Sequence, residues 1–236
     1  MTTPEESPFL SLILPVLNEA ATVVSQLSKL QDLRARGAEL LVVDGGSSDG
    51  TRALVVASAD RLLDAPRGRA LQMNAGALAS RGEVLLFVHA DTTLPPDADA
   101  LIREAIAGGA AWGRFDVSID SRHPLLRVVA AMMNWRSRLT GIATGDQAIF
   151  VRRDAFLAVG AFPGVALMED IALCKRLKRI ARPACLRARV TTSGRRWEKH
   201  GVLRTIVLMW RLRASYFFGA DPQQLALRYG YSPRQP

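Results

Sequence analysis

His89 and Asp91 stand two residues apart where the apolar run "LLFV" gives way to the polar turn "HADTTLPPDAD". An acid-x-acid pair at the end of a buried strand would hold a divalent cation, and through it a nucleotide diphosphate, because such cations prefer oxygen ligands. Here a histidine takes the first position. Imidazole ligates Mn²⁺ more comfortably than Mg²⁺, and it also hydrogen-bonds a hydroxyl. The substitution therefore weakens the case for a metal more than the case for a ligand. Strand alternation through this stretch would put both side chains on one face. Three further polar clusters occupy similar places: "PVLNE", "VVDGGSSDGT" and "MED". Each has an ordinary explanation. Asn18 and Asp49 suit helix caps, "DGGSSDG" suits a turn, and Glu169 with Asp170 complements a helix N-terminus. The specific signal is that all four fall in order at strand ends or helix starts.

The elements that must position them can be read in turn. "FLSLILPVL" is a short apolar run that reads as a central strand, closed by Pro15 and "NEA". Residues 19–36 have helical spacing, with Asn18 as N-cap. "AELLVVDGG" is a second buried strand and "SSDGTRALVVASA" opens a helix. "DRLLDAP" is a third strand, "GRALQMNAGALAS" a small-residue helix and "GEVLLFVHAD" a fourth strand. This alternation predicts an α/β domain with a mostly parallel sheet covered by helices on both faces. Ligands gather at the carboxyl ends of such strands. Beyond residue 120 the pattern loosens. "GGAAWGRFDVSID" reads as a strand leaving the sheet, "HPLLRVVAAMMNWRSRLTG" as an amphipathic helix, and "GDQAIFVRRDAFLAVGAF" as strand then helix. "LMEDIALCKRLKRI" is helical with Ile171, Cys174 and Leu177 inward, and "PACLRARVTTSGRRW" holds a further strand.

The chain has 236 residues, 49% of them apolar, and a net charge of +9. Residues 1–120 carry 10 Lys/Arg against 16 Asp/Glu, and residues 121–236 carry 21 against 6. A basic half suits a nucleic-acid, membrane or phosphorylated partner, or simply an Arg-rich surface. The absence of interleaved aromatics for base stacking argues against nucleic acid. Cys174 and Cys185 form no C-x-x-C pair and suit a reducing compartment. "MTTPEESPF" lacks a signal-peptide layout, and no apolar run approaches the ~20 residues of a membrane span. The expectation is a cytoplasmic protein. A last helix, about 201–218, places Leu203, Ile206, Val207, Trp210, Ala214 and Phe217 on one face, with Arg204 and Arg211 opposite. That face suits packing on the domain, a homodimer, or peripheral contact with the inner face of a membrane.

"LPVLNEA", "VVDGGSSDGT", "FVHADT" and "LMEDIAL" resemble successive motifs of the family 2 glycosyltransferases of GT-A fold, over most of residues 9–200. "RGRALQMNAGA", "TGDQAIFVRR" and "SGRRWEKHG" further resemble a bacterial subfamily found beside radical-SAM and selenium-associated proteins. The resemblance implies a single GT-A-like domain spanning 1–236. Its nucleotide-binding half would be about 9–120, its acceptor and catalytic half 121–200, and its C-terminal helix and tail 201–236.

The implied activity is inverting transfer of a sugar from a nucleoside-diphosphate sugar, commonly a UDP-sugar, to an acceptor hydroxyl. Glu19 and Asp44 match positions that bind the base edge and ribose, with Pro15 and Val16 as the wall beneath the base. Arg69, then Asn74, match the basic and asparagine-bearing helix near the nucleotide. Asp91 matches the acid expected to touch Mg²⁺ or Mn²⁺, and His89 the first position of that pair, better suited to the ribose. Glu169–Asp170 matches the E-D motif in which the Asp is the general base. Arg196 and Trp197 match the end of an R/Q-x-x-R-W motif, but Ser193 stands where Gln or Arg is expected, which puts processive polymerisation in doubt. Arg196 would pair with diphosphate, and His200 would do the same or lie on the surface. Asp146 and Gln147 would lie near the acceptor, whose identity the sequence leaves open. Two other readings stand beside this one. A nucleotidyltransferase uses the same kinds of residues but usually carries a Gly-rich N-terminal loop, and "LPVLNEAATV" has none. A non-catalytic binding or membrane-surface protein on this fold is the other.

Overall fold

The computed structural model describes residues 7–231. The start of the acidic N-terminus, in which no signal-peptide layout was read, lies outside the described residues, as do the last five residues of the tail. The elements in chain order are β1 (Leu10–Val16), α1 (Val23–Ala35), β2 (Glu39–Asp44), α2 (Thr51–Val55), β3 (Arg61–Asp64), α3 (Arg69–Ala79) and β4 (Val84–Phe87). Then come β5 (Thr92–Thr93), α4 (Ala98–Ala107), β6 (Trp112–Asp120), α5 (Pro124–Thr140), a 3₁₀ turn (Gly145–Gln147), β7 (Phe150–Arg152) and α6 (Arg153–Ala158). The chain closes with α7 (Glu169–Leu177), β8 (Ala184–Ser193), α8 (Arg195–His200), α9 (Val202–Phe217) and α10 (Pro222–Tyr229).

One eight-stranded sheet runs in the order β3-β2-β1-β4-β7-β6-β8-β5. The first four strands pair in parallel, as the alternation of apolar runs and helices predicts. β1, β2 and β4 are buried nearly throughout, which is why they read as continuous apolar runs. Beyond β4 the sheet is mixed. β7 is antiparallel to β4 and β6, β8 is parallel to β6, and β5 is antiparallel to β8. The segment 112–120 therefore stays in the sheet, where it was expected to leave it. The three-residue β7 supplies the link.

Three local expectations are corrected. α1 begins at Val23, because Asn18 turns with φ 54° and directs residues 18–20 into contacts with the next loop. β4 stops at Phe87, and the Thr92 N–H donates to the His89 carbonyl at 3.0 Å to close a turn. His89 and Asp91 are thus turn residues, and strand alternation does not place them. The third correction concerns α9. Leu203, Val207, Trp210, Ala214 and Phe217 face outward, with Phe217 77% and Phe218 85% exposed. The buried contacts come from Leu212, with Leu208, Met209 and Tyr216, against Met168 and Ile171 of the α7 region and Leu225 and Ala226 of α10. α10 lies where only a tail was expected. Its signals are ordinary: Asp221 accepts from the Gln223 N–H at 3.0 Å, Pro222 opens the helix, and Gly230 closes it at φ 82°.

α3 is seated close on the sheet. A Cβ at Gly76 would come within 2.5 Å of Ile13 Cγ2 and 3.0 Å of Val43 Cγ2. Gln72 fixes the same helix by donating to the Val16 and Val43 carbonyls at 2.8 and 2.9 Å. Gly76→Val is therefore expected to lower stability by about 1–3 kcal/mol through overpacking. Urea denaturation checks this, and an unchanged midpoint would contradict the close seating.

Candidate active site

The first wall of the site is built from loops tied to one another at the ends of β1 and β2. Asp44 is 1% exposed and accepts from the Gly46 and Ser47 N–H groups at 3.2 and 3.0 Å and from the Ser47 hydroxyl. Asn18 Oδ1 accepts from the Ser48 N–H at 2.9 Å, and the Asn18 N–H donates to Ser47 Oγ at 2.9 Å. Asp49 bonds the Ala20 and Thr51 N–H groups, both at 3.0 Å, so it fixes this loop as well as the start of α2. Glu19 is half-buried and accepts from the Thr22 hydroxyl at 2.8 Å. Val16 lies in the core, which leaves half-buried Pro15 as the accessible side chain of that pair.

The second wall gathers acids and arginines around the 3₁₀ turn. The Gly145 N–H donates to Asp170 Oδ2 at 3.0 Å. The His89 ring packs against the Gly145 Cα so closely that no Cβ fits there. His89 Nδ1 faces Asp146 Oδ1 at 3.7 Å, and the Asp146 side chain is 45% exposed. Arg69 Nη1 reaches Glu169 Oε1 at 3.5 Å. Asp170 sits at the N-terminus of α7, entered through Met168 at φ 69°, a strained conformation for a side chain of that size. Its Oδ1 accepts from the Ile171 N–H at 2.7 Å, which leaves the carboxylate fixed and half-buried.

The electrostatics divide the adjacent acids. Burial pushes the Glu169 carboxyl above its usual range; Arg69 pulls it back and the Asp170 charge pushes it further up. Partial desolvation opposes the charge on Asp146, but His89, Arg69 and Arg213 together hold it below the usual carboxylate range. Burial likewise opposes the charge on Arg69, and Glu169, Tyr229, Asp146 and Asp170 outweigh it, so its pKa is raised. Cys174, beneath Asp170, is pushed up to about 12 by burial and by that neighbour, and stays an inert thiol.

The other expected site residues separate into two sets. Asn74 spends its amide on the Phe162 backbone, donating to its carbonyl at 2.9 Å and accepting from its N–H at 3.0 Å. Gln147 is fully buried, donating to Ser137 Oγ at 3.1 Å. Both position loops and present no free polar atom to a ligand. Arg196 lies over the Tyr229 ring at 3.6 Å and donates to the Tyr229 carbonyl at 2.6 Å. Trp197 is half-buried and His200 exposed on α8, and neither is bonded to the acid cluster. Sequence reasoning assigned no site role to Arg136 of α5, Arg213 of α9 or Tyr229 of α10. All three act electrostatically on the acids. Their signal was faint, a lone arginine or tyrosine near the buried stripe of a helix.

The donor set suits a cation that arrives with its own ligands. Among the described residues no three His, Cys, Asp or Glu side chains are gathered as a metal cage. Asp91 is exposed at the turn after β4, and Asp146 offers a second partly exposed carboxylate beside His89. One or two carboxylates completed by phosphate oxygens and water are what Mg²⁺ or Mn²⁺ accepts.

Acids, arginines and tied loops thus lie at the strand ends and helix starts of an α/β sheet. Residues 11–158 match glycosyl transferase family 2, and the chain belongs to that family. The nucleotidyltransferase reading is thereby replaced. Over 127 residues it is 35% identical to the succinoglycan biosynthesis protein ExoO of Rhizobium meliloti, covering 50% of this chain and 36% of that protein. Over 144 residues it is 29% identical to the undecaprenyl-phosphate 4-deoxy-4-formamido-L-arabinose transferase of Pseudomonas aeruginosa, covering 56% and 40%. The matched region is thus well under half the length of these relatives. The fold is GT-A-like, similar to the mannosyltransferase PcManGT of Pyrobaculum calidifontis, solved with GDP-Man and Mn²⁺. That likeness has a TM-score of 0.63 at 20% identity, covering 89% of this chain and 62% of that one. Glucosyl-3-phosphoglycerate synthase of Mycobacterium tuberculosis, solved with Mn²⁺, UDP and glucosyl-3-phosphoglycerate, gives 0.59 at 20% identity, covering 78% and 71%.

The buried Glu169 yields a pH test. A raised folded-state pKa means that the folded protein holds this proton more tightly than the unfolded chain does. The favourable contribution is complete below about the unfolded value of 4.5 and is lost as pH rises through the folded value. The stability of the wild type relative to Glu169→Gln should therefore decline as pH rises from about 4.5. Chemical denaturation across pH measures this, and a difference that grows with pH would contradict it.

Proposed function

We propose that the chain is an inverting glycosyltransferase that uses a UDP-sugar, with Asp170 as general base. The observation that carries this reading is the placement of Asp170. Its carboxylate is fixed by the Gly145 N–H, next to the facing His89 and Asp146 side chains, at the start of a helix. An acceptor hydroxyl held there loses its proton to Asp170 as its oxygen bonds to the anomeric carbon. The bond from that carbon to the diphosphate oxygen breaks, and the nucleoside diphosphate leaves. Arg69, next to Glu169, supplies fixed positive charge near the leaving group. A divalent cation held by Asp91 would add electrophilic charge at the diphosphate. Glu19 would bind the base edge over Pro15 and His89 the ribose side, while Asp44, buried and bonded to the Gly46–Ser47 backbone, would reach the nucleotide only if that loop shifts to free a carboxylate oxygen. The motifs "RGRALQMNAGA", "TGDQAIFVRR" and "SGRRWEKHG" further support membership of the radical-SAM- and selenium-associated subfamily.

Asp170→Asn is expected to lower transfer by about 10²-fold or more, the scale of a general base, while UDP binding is unchanged. UDP release from a panel of UDP-sugars, with Mn²⁺ and with a chelator, measures both the base and the metal at Asp91. Near-wild-type turnover by the variant would remove the assignment.

The outward face of α9 supports peripheral attachment to an anionic bilayer. No helix among the described residues is long and apolar enough to cross a membrane. Trp210, Phe217 and Phe218 are exposed alongside Arg204 and Arg211, the combination of apolar and basic groups that seats a helix at a lipid surface. Co-sedimentation with vesicles containing phosphatidylserine at low salt should capture the wild type and release Trp210→Ser/Phe217→Ser. Equal sedimentation of both, or of neither, would end this reading.

A further inference from the structure

α5 has two apolar faces, and the fold covers only one of them. Leu126, Ala130, Asn134 and Ser137 are buried against the domain. Asn134 holds the Val117 backbone of β6, accepting from its N–H at 2.8 Å and donating to its carbonyl at 3.0 Å. Ser137 accepts from the Gln147 amide at 3.1 Å, which ties the helix to the 3₁₀ turn of the candidate site. The opposite face carries Leu125, Val128, Met132, Trp135 and Leu139, at alternating intervals of three and four residues. Such intervals keep one stripe in line along a helix. All of these side chains are exposed, from 37% at Leu125 to 65% at Leu139. Ala131 lies among them in an open groove of about 430 Å³, walled by Arg127, Val128, Met132 and Trp135. The stripe runs most of the length of a 17-residue helix, about 20 Å. Apolar side chains exposed singly need no explanation, but a contiguous stripe marks an interaction surface.

The charge around the stripe identifies its partner. From Ser121 to Gly145 the chain has no Asp or Glu, against Arg122, Arg127, Arg136 and Arg138. Arg127 borders the groove and makes no hydrogen bond or ion pair among the described residues. Arg138 stands about three helical turns further on and shares that edge, where it also pairs with Asp116 at 2.7 Å. A second copy of the chain fits such a surface poorly. Antiparallel pairing centred on Met132 would set Leu125 of each copy against Leu139 of the other, and would bring Arg127 of each beside Arg138 of the other. Parallel pairing also opposes arginine to arginine, and like charges set against one another suppress association. An anionic bilayer meets both features at once. It takes the apolar stripe into the headgroup boundary, where tryptophan is favoured, and pairs the bordering arginines with lipid charge.

We propose that α5 is a membrane-seating helix, which binds anionic lipid through Leu125, Val128, Met132, Trp135 and Leu139 with Arg127 at the edge. The surface is distinct from the outward face of α9, so the two readings stand or fall separately.

The test uses the full chain with vesicles of phosphatidylcholine, with and without phosphatidylserine. Quenching by bromine-labelled phosphatidylcholine reads Trp135 directly, in a Trp210→Phe background that leaves α9 without tryptophan. Trp112 is fully buried, and Trp197 is common to both proteins compared. Quenching is expected when phosphatidylserine is present and is expected to be lost in Trp135→Phe. In co-sedimentation at low salt, Met132→Ser/Trp135→Ser should weaken binding at least about tenfold through lost apolar burial. Arg127→Glu should do the same by reversing a charge at the lipid surface. These positions are exposed, so the melting temperature is expected to hold. Unquenched Trp135, quenching indifferent to phosphatidylserine, or wild-type sedimentation by both α5 variants overturns the proposal, even where Trp210→Ser/Phe217→Ser is released. Quenching of Trp135 that persists while the α9 variant sediments like the wild type supports α5 and removes α9 instead. A dimer in sedimentation velocity that Met132→Ser/Trp135→Ser disperses assigns the stripe to a second copy and overturns the bilayer.

Discussion

The hydrogen bond from the Gly145 N–H to Asp170 joins a turn between α5 and β7 to the start of α7, and the acid cluster is arranged around it. It forms only because residue 145 has no side chain, since the His89 ring occupies the space a Cβ would need. A single glycine therefore lets three segments meet: the turn after β4, the 3₁₀ turn and the α7 N-terminus. Each is held from behind by bonds that never reach the ligand. Gln147 anchors the 3₁₀ turn to Ser137 of α5. Asn74 clamps the Phe162 backbone on the approach to α7, and the left-handed Met168 sets the angle at which α7 begins. The residues with free polar atoms and the residues that hold them in place are different residues, although a sequence motif lists them together.

The site is crowded with charge of both signs, and burial makes the balance consequential. Glu169 is buried beside Arg69 and near Asp170, so it neighbours a positive partner and a like charge at once. Asp146 stays ionised through His89, Arg69 and Arg213. Opposite charges at this depth act over several ångströms, because the surrounding dielectric is lower than that of water. The basic surplus of residues 121–236 is thus partly spent inside the site. The remainder covers the surface, where it serves solubility or attraction to anions.

The C-terminal helices bind the two walls together. α9 and α10 pack through Leu212, Leu225 and Ala226 onto the Met168–Ile171 region, which brings Arg213 within electrostatic reach of Asp170 and Asp146. Arg196, whose motif suggested a diphosphate partner, lies against Tyr229. In the structure described here that arginine joins α8 to α10.

The sequence by itself determined the first four strands, their parallel pairing and the identity of the family. Continuous apolar runs between helical segments leave few alternatives, and the four polar clusters fall at the loops where such a sheet gathers ligands. It also located Asp170 at a helix start. What it could not determine depends on distance through space. Whether Asn74 faces a ligand or a loop depends on Phe162, 88 residues away. Strand alternation failed at His89 and Asp91 because β4 ends at Phe87, and a turn has no period. The α9 pattern was real, but hydrophobic periodicity does not say which stripe is buried when both sides carry apolar residues. Only packing against α7 and α10 decided that.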